Sequence, residues 1–245
     1  MQRSYAPYLY RGAFLRIAAT DRAVVEAEVR RQRDLLDAYV RRHPEFLVTM
    51  TPLDPLPDAP EIARRMAESG WKVGVGPMAA VACAVAQAAV ETAVRAGAAE
   101  AIVENGGDIY LASPEVVVIG LYAGRHRLSG RIALRVTPDR MPLAVCSSSS
   151  RMGHSLSLGS CDLATVTSRD GALADAAATL ACNLVHSPED IEKALDAIAS
   201  IPGVEGVLLV EGERVGVAGD LPELVRHEGT DLADKITRHP GARLE

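Results

Sequence analysis

At 245 residues the chain is long enough for one large domain or two closely joined halves, and its 48% hydrophobic content supplies a real core. Only 4% is aromatic, so that core is built from Ala, Val, Leu and Ile, with few flat rings for stacking bases or sugars. A net charge of -6 repels phosphate backbones and disfavours nucleic-acid binding.

The elements follow in chain order. Residues 8–18 mix Tyr, Phe, Leu and Ile with Arg and read as a strand. Thr20-Asp21 offers a helix cap, and Val25, Val29, Leu36 and Val40 recur on one face, which predicts an amphipathic helix over 21–42. Arg30, Arg31 and Arg33 read as its solvated face. A Pro-rich connector over 51–60 leads to a short helix at 60–69. Gly76-Pro77 opens the most apolar helix, 77–96, in which Gln87, Glu91 and Arg95 mark a half-exposed second half. Ala101-Ile102-Val103 and Asp108-Ile109-Tyr110-Leu111 flank Asn105-Gly106-Gly107 as a hairpin. Further strands are expected at 116–121, 132–136, 143–146 and 163–166, with a Ser-rich loop over 147–160. Helices follow at 172–184 and 188–199, then a hairpin of 207–210 with 214–218 and a polar, poorly specified tail. Strand and helix signals come in blocks, which predicts an α+β fold of mixed or antiparallel sheets with packed helices, as a single domain over 1–245.

The cysteines, Cys83, Cys146, Cys161 and Cys182, form no Cys-x-x-Cys pair and complete no zinc signature, which suits a reducing compartment. Met-Gln-Arg-Ser-Tyr at the N-terminus is not an apolar signal segment, and the apolar run 75–86 is shorter than the roughly 20 residues of a membrane span. The expectation is a cytoplasmic protein that binds neither membrane nor nucleic acid.

Three segments can carry chemistry. Glu104-Asn105-Gly106-Gly107-Asp108 is either a plain hairpin turn or a turn whose bare backbone N–H groups approach a phosphate or a flat ring. Ser147-Ser148-Ser149-Ser150-Arg151-Met152-Gly153-His154 is either a Ser-rich loop or a phosphate-contacting loop, with His154 its candidate general base or metal ligand. In Ala174-Asp175-Ala176-Ala177-Ala178-Thr179, Asp175 and Thr179 share one helix face. They are either a water-facing polar stripe or, if buried, hard oxygen ligands for Mg²⁺ or Ca²⁺.

The order of these pieces resembles the ApbE-like family of flavin transferases over roughly residues 72–185. Gly76 opens a helix, Gly106-Gly107-Asp108 forms a Gly-Gly-Asp turn, the run from Ser147 follows, and Val166-Thr167-Ser168 precedes the closing Ala-Asp-x-x-x-Thr helix. The resemblance implies an ApbE-like, T-fold-related architecture and a Mg²⁺-dependent site for FAD, from which FMN is transferred to a protein acceptor. Asp175 and Thr179 would be metal ligands. Gly106, Gly107 and Asp108, with Asn105 beside them, would line the nucleotide, and Ser148 or its neighbour Ser149 would contact phosphate; His154 is the catalytic candidate on the reading of the Ser-rich loop alone. Two departures mark a divergent branch. Val75-Gly76-Pro77-Met78 stands where the family has Lys-Gly, and residues 153–160 replace its Asp-Pro-x-Thr-Gly segment. A non-catalytic nucleotide-binding protein, and an enzyme with a different small-molecule substrate, stay open beside FMN transfer, as does assembly of identical copies.

Overall fold

The computed structural model describes residues 3–123, 129–150 and 159–226. Its main element is an eight-stranded antiparallel sheet, in spatial order β1 (Ala6–Tyr10), β2 (Ala13–Ala19), β3 (Ala101–Asn105), β4 (Asp108–Ala112), β7 (Leu143–Ser148), β8 (Leu163–Ser168), β9 (Val204–Glu211) and β10 (Arg214–Gly219). The strands between β4 and β7, β5 (Val117–Gly120) and β6 (Ile132–Val136), leave it and form a three-stranded sheet with β11 (Glu223–Arg226). The single strand expected at 8–18 is two, because Arg11 and Gly12 both take positive φ and turn the chain back, pairing Tyr10 with Ala13. The tail after Asp220 is likewise structured, with β11 pairing Glu223 through Arg226 against Arg135 through Ile132.

Period-two alternation divides the large sheet's side chains between two cores. Val103, Tyr110, Ala144, Cys146, Ala164, Val166, Val207 and Leu209 face the helices. Ile102, Leu111, Leu143, Val145, Leu163, Leu208 and Val210 face the small sheet, meeting Val117, Ile119, Leu134 and Val136. A strand covered on both faces has to be apolar on both, which is why these segments read as continuous apolar runs.

The helical layer holds α1 (Arg22–Arg42), α2 (Glu45–Val48), α3 (Glu61–Val73), α4 (Val81–Arg95), α5 (Gly171–Leu184) and α6 (Ile191–Ala199). Asp21 caps α1 by accepting from the Val24 N–H, and Ser187 with Asp190 forms a capping box ahead of α6. Together the 3₁₀ turn at Pro77–Ala80 and α4 give 19 residues long and apolar enough, on length and composition, to cross a membrane, yet more than half of this segment is buried within the fold. Gln87 is buried rather than part of a half-exposed stripe.

Candidate functional site

Helix α5 is apolar almost all round and is enclosed by β7, β8, α3 and α4. Its two interior polar side chains, Asp175 and Thr179, are only 8% and 9% exposed, so they are not a water-facing stripe. A buried carboxylate needs partners, and the first of these is backbone. Helix α4 begins after Ala80, which has no capping side chain. The Cys83 N–H in its first turn donates to Asp175 Oδ2 at 3.0 Å. The converse contact lies one turn away, where the Gly171 N–H that opens α5 donates to Gln87 Oε1 at 2.7 Å and Gln87 Nε2 donates to Glu91 Oε1 at 2.7 Å. Asp170 completes the α5 start by accepting from the Leu173 N–H at 3.2 Å. The helices approach so closely that a Cβ on Gly171 would lie 2.9 Å from Cys83 Sγ and 3.0 Å from Gln87 Oε1.

Asp108 enters from β4, on the helix-facing side of the sheet. The turn before it pairs Asn105 with Asp108 across Gly106 and Gly107, whose φ values of 69° and 107° favour glycine at both positions. Asn105 is tied to the same helix start, donating from Nδ2 to the Ala82 carbonyl at 3.0 Å. Asp108 Oδ1 accepts from the Ser147 N–H at 3.1 Å. Desolvation raises the Asp108 carboxyl to about 7, and the nearby Glu104 charge adds to the rise. Desolvation also raises Asp175 well above the usual carboxylate range, and the charge of Asp108 raises it further. Among the described residues no Lys or Arg pairs with either acid.

Cys83 and Cys146 adjoin the acids. Burial pushes the Cys83 thiol up to about 11 and raises Cys146 as well, so the site offers oxygen rather than thiolate donors. Among the described residues no group of three or more His, Cys, Asp or Glu side chains gathers around one point as a metal centre. A cation here would rest on Asp175, Thr179 and oxygens brought by a ligand. That donor set fits Mg²⁺, a hard cation that keeps part of its shell for water and phosphate.

The serines are placed differently from a simple loop. Ser147 and Ser148 end β7, and the Ser147 hydroxyl lies 2.9 Å from Thr165 Oγ1. Ser148 and Ser149 are buried, and Ser150 Oγ lies 3.1 Å from Cys182 Sγ, farther along the Asp175–Thr179 face of α5. The structure thus brings Asn105, Asp108 and Asp175 to the start of α4, with the Ser147 backbone on Asp108. His154 lies outside the described residues. Gln87 and Cys146 were not singled out from the sequence as site residues. An amide in an otherwise apolar helix was the available signal for Gln87, and Cys146 has no comparable one.

This arrangement, with helices on one face of an eight-stranded antiparallel sheet and a Gly-Gly-Asp turn facing an Asp-x-x-x-Thr helix, is that of an ApbE-like protein. The fold matches the apo flavinyl transferase ApbE of Pseudomonas stutzeri with a TM-score of 0.56 at 13% identity, covering 89% of this chain and 95% of that one. It matches the ApbE protein of Thermotoga maritima with a TM-score of 0.55 at 14% identity, covering 97% and 100%. A family model described as AbpE bacteria matches residues 14–213. A UPF0280 protein of Methanosarcina barkeri is 40% identical over 214 residues, 86% of this chain and 84% of its own length. A UPF0280 protein of Methanocaldococcus jannaschii is 39% identical over 196 residues, 78% of this chain and 79% of its own length. The chain belongs to this UPF0280 branch of the ApbE-like proteins.

Proposed function

We propose that the protein binds a flavin nucleotide, with FAD as the ligand, through a Mg²⁺-dependent site, and that it transfers FMN from FAD to a hydroxyl of a protein acceptor. The observation that carries this reading is the pair of buried carboxylates, Asp108 and Asp175, with no Lys or Arg paired to either among the described residues, Asp175 being raised by burial and by the charge of Asp108. Two such groups are stable together only if protonated or if a cation joins them. Asp175 and Thr179 would hold the cation, which would clamp a pyrophosphate and offset charge developing on its bridging oxygen. The turn at Gly106 and Gly107 presents backbone to the nucleotide, and Ser148 and Ser149 are proposed to lie at its phosphates. Asp108, held from β4 with Oδ1 accepting from the Ser147 N–H, is proposed to accept the proton of an attacking hydroxyl. His154 is retained as a second candidate for that role. Four buried free cysteines support a reducing, cytoplasmic setting.

The test is incubation with FAD, Mg²⁺ and candidate acceptor proteins, read by mass spectrometry for AMP release and for an FMN-sized increment on the acceptor. Both signals are expected to vanish with EDTA and in Asp175→Asn. A second reading, binding without turnover, draws on the cap that Asp175 makes for α4, which gives the acid a structural use. Saturable FAD binding with no AMP, FMN or adduct would select it.

A further inference from the structure

The helical layer carries a second concavity, which shares no residue with the Asp108–Asp175 site. A cavity of about 240 Å³ opens between α1, α2 and the 3₁₀ turn at Pro77–Ala80. Its apolar lining comes from Leu36, Val40, Leu47 and Met78. Leu47 is 52% exposed, and Val48 and Met50 beside it are also in water, so the chain leaves a block of apolar surface at this opening.

The remaining lining is charged: Arg33, Asp37 and Arg41, at four-residue spacing along one face of α1. Asp37 is already used, because its Oδ2 takes Arg11 Nη1 at 2.9 Å. Neighbouring arginines have acids of their own, Arg31 with Glu28 and Arg42 with Asp58. Arg33 instead gives Nη2 to the Arg11 carbonyl at 3.0 Å, and its Nε is, among the described residues, the one buried side-chain nitrogen or oxygen with no hydrogen-bond partner. Among the same residues no carboxylate lies within ion-pair distance of Arg33 or Arg41. In a chain with 32 acids against 26 bases, two guanidiniums beside an apolar cavity with no ion-paired acid among the described residues are a feature that needs an account.

We propose that this cavity binds a small amphipathic carboxylate. Its anionic group meets the guanidiniums of Arg33 and Arg41, a planar fork matched to carboxylate geometry. Its short aliphatic or aryl body covers Leu36, Val40, Leu47 and Met78. The volume lies below the roughly 300–1,000 Å³ of sites for drug-sized ligands, which limits the ligand to a compact acid.

The test is calorimetric titration of the full chain with octanoate, with octanamide as the uncharged body and acetate as the charge without a body. Octanoate is expected to bind saturably. Octanamide and acetate should bind at least about tenfold more weakly, the change expected for loss of one charge-assisted contact or of the apolar cover. Arg41→Gln, at an exposed position, should weaken octanoate about tenfold with an unchanged thermal midpoint, while FAD binding stays as in the parent. Equal affinity for octanamide, unaltered octanoate binding in Arg41→Gln, or a heat that does not saturate would overturn the proposal.

Discussion

Asp175 Oδ2 and the Cys83 N–H, 92 residues apart in sequence, meet at 3.0 Å, and through this contact α5 caps the start of α4. Gln87 returns the arrangement by capping the start of α5 at Gly171. The acid of the Asp-x-x-x-Thr motif therefore belongs to a reciprocal clamp between two buried helices, and a ligand site built there inherits that rigidity. The clamp also separates two consequences of changing Asp175. An asparagine keeps an acceptor oxygen for the Cys83 N–H, whereas it loses the charge that would hold a cation.

Gln87→Leu should therefore destabilise more than Asp175→Asn. The leucine leaves the buried Gly171 N–H without an acceptor, at a cost of about 1–3 kcal/mol. That lowers the thermal midpoint by several degrees, at roughly 2–4 °C per kcal/mol for a chain of this size. Asp175→Asn should stay within about 1 kcal/mol of the parent. Paired thermal melts at neutral pH without added metal check the order.

Gly171→Ala should both destabilise the protein and weaken nucleotide binding. Its Cβ would lie 2.9 Å from Cys83 Sγ and 3.0 Å from the Cys83 carbonyl oxygen, so the Cys83 side chain and the start of α4 must give way. Overpacking of this kind costs about 1–3 kcal/mol. Thermal melts combined with FAD titration check this. An alanine variant with parental stability would mean that the helices do not meet this closely.

Stability without metal should rise as pH falls from 8 towards 5. Asp108 is raised from 3.8 to about 7 by burial, so between those values the folded state binds more protons than the unfolded chain. Unfolding free energy then decreases as pH rises through that window and levels off above about 7. Asp175 shifts in the same direction and adds to the slope, while the Cys83 and Cys146 thiols, both raised by burial, keep their protons across it. Asp108→Asn should flatten the profile. Thermal melts from pH 5 to 8 in EDTA measure it, and a parental profile already flat would contradict the burial of these acids.

Much of this architecture was legible because its elements announce themselves locally. The cap at Asp21, the Asn105-Gly106-Gly107 turn and the 3.6-residue period of α1 are short-range signals, and the structure keeps all of them. Long-range choices left no such mark. The pairing of β11 with β6 depends on partners about 90 residues apart, and the strand Glu223–Arg226 is too short and polar to stand out alone. The β1–β2 turn was hidden because Arg11 rather than Asn or Asp occupies its first left-handed position. Spacing could place Asp175 and Thr179 on one face of a helix, but only the fold shows that this face is buried and that α4 needs an acceptor there.

The central claim, that the Asp108–Asp175 pair forms a cation-dependent nucleotide site, is tested most directly by titrating FAD into the parent and Asp175→Asn proteins, each with Mg²⁺ and with EDTA. The account predicts FAD binding in the parent with Mg²⁺, at least about tenfold weaker binding in EDTA, and the same loss in Asp175→Asn with a metal-free thermal midpoint within about 4 °C of the parent's. Equal FAD affinity with and without Mg²⁺, or full binding by Asp175→Asn, would contradict it.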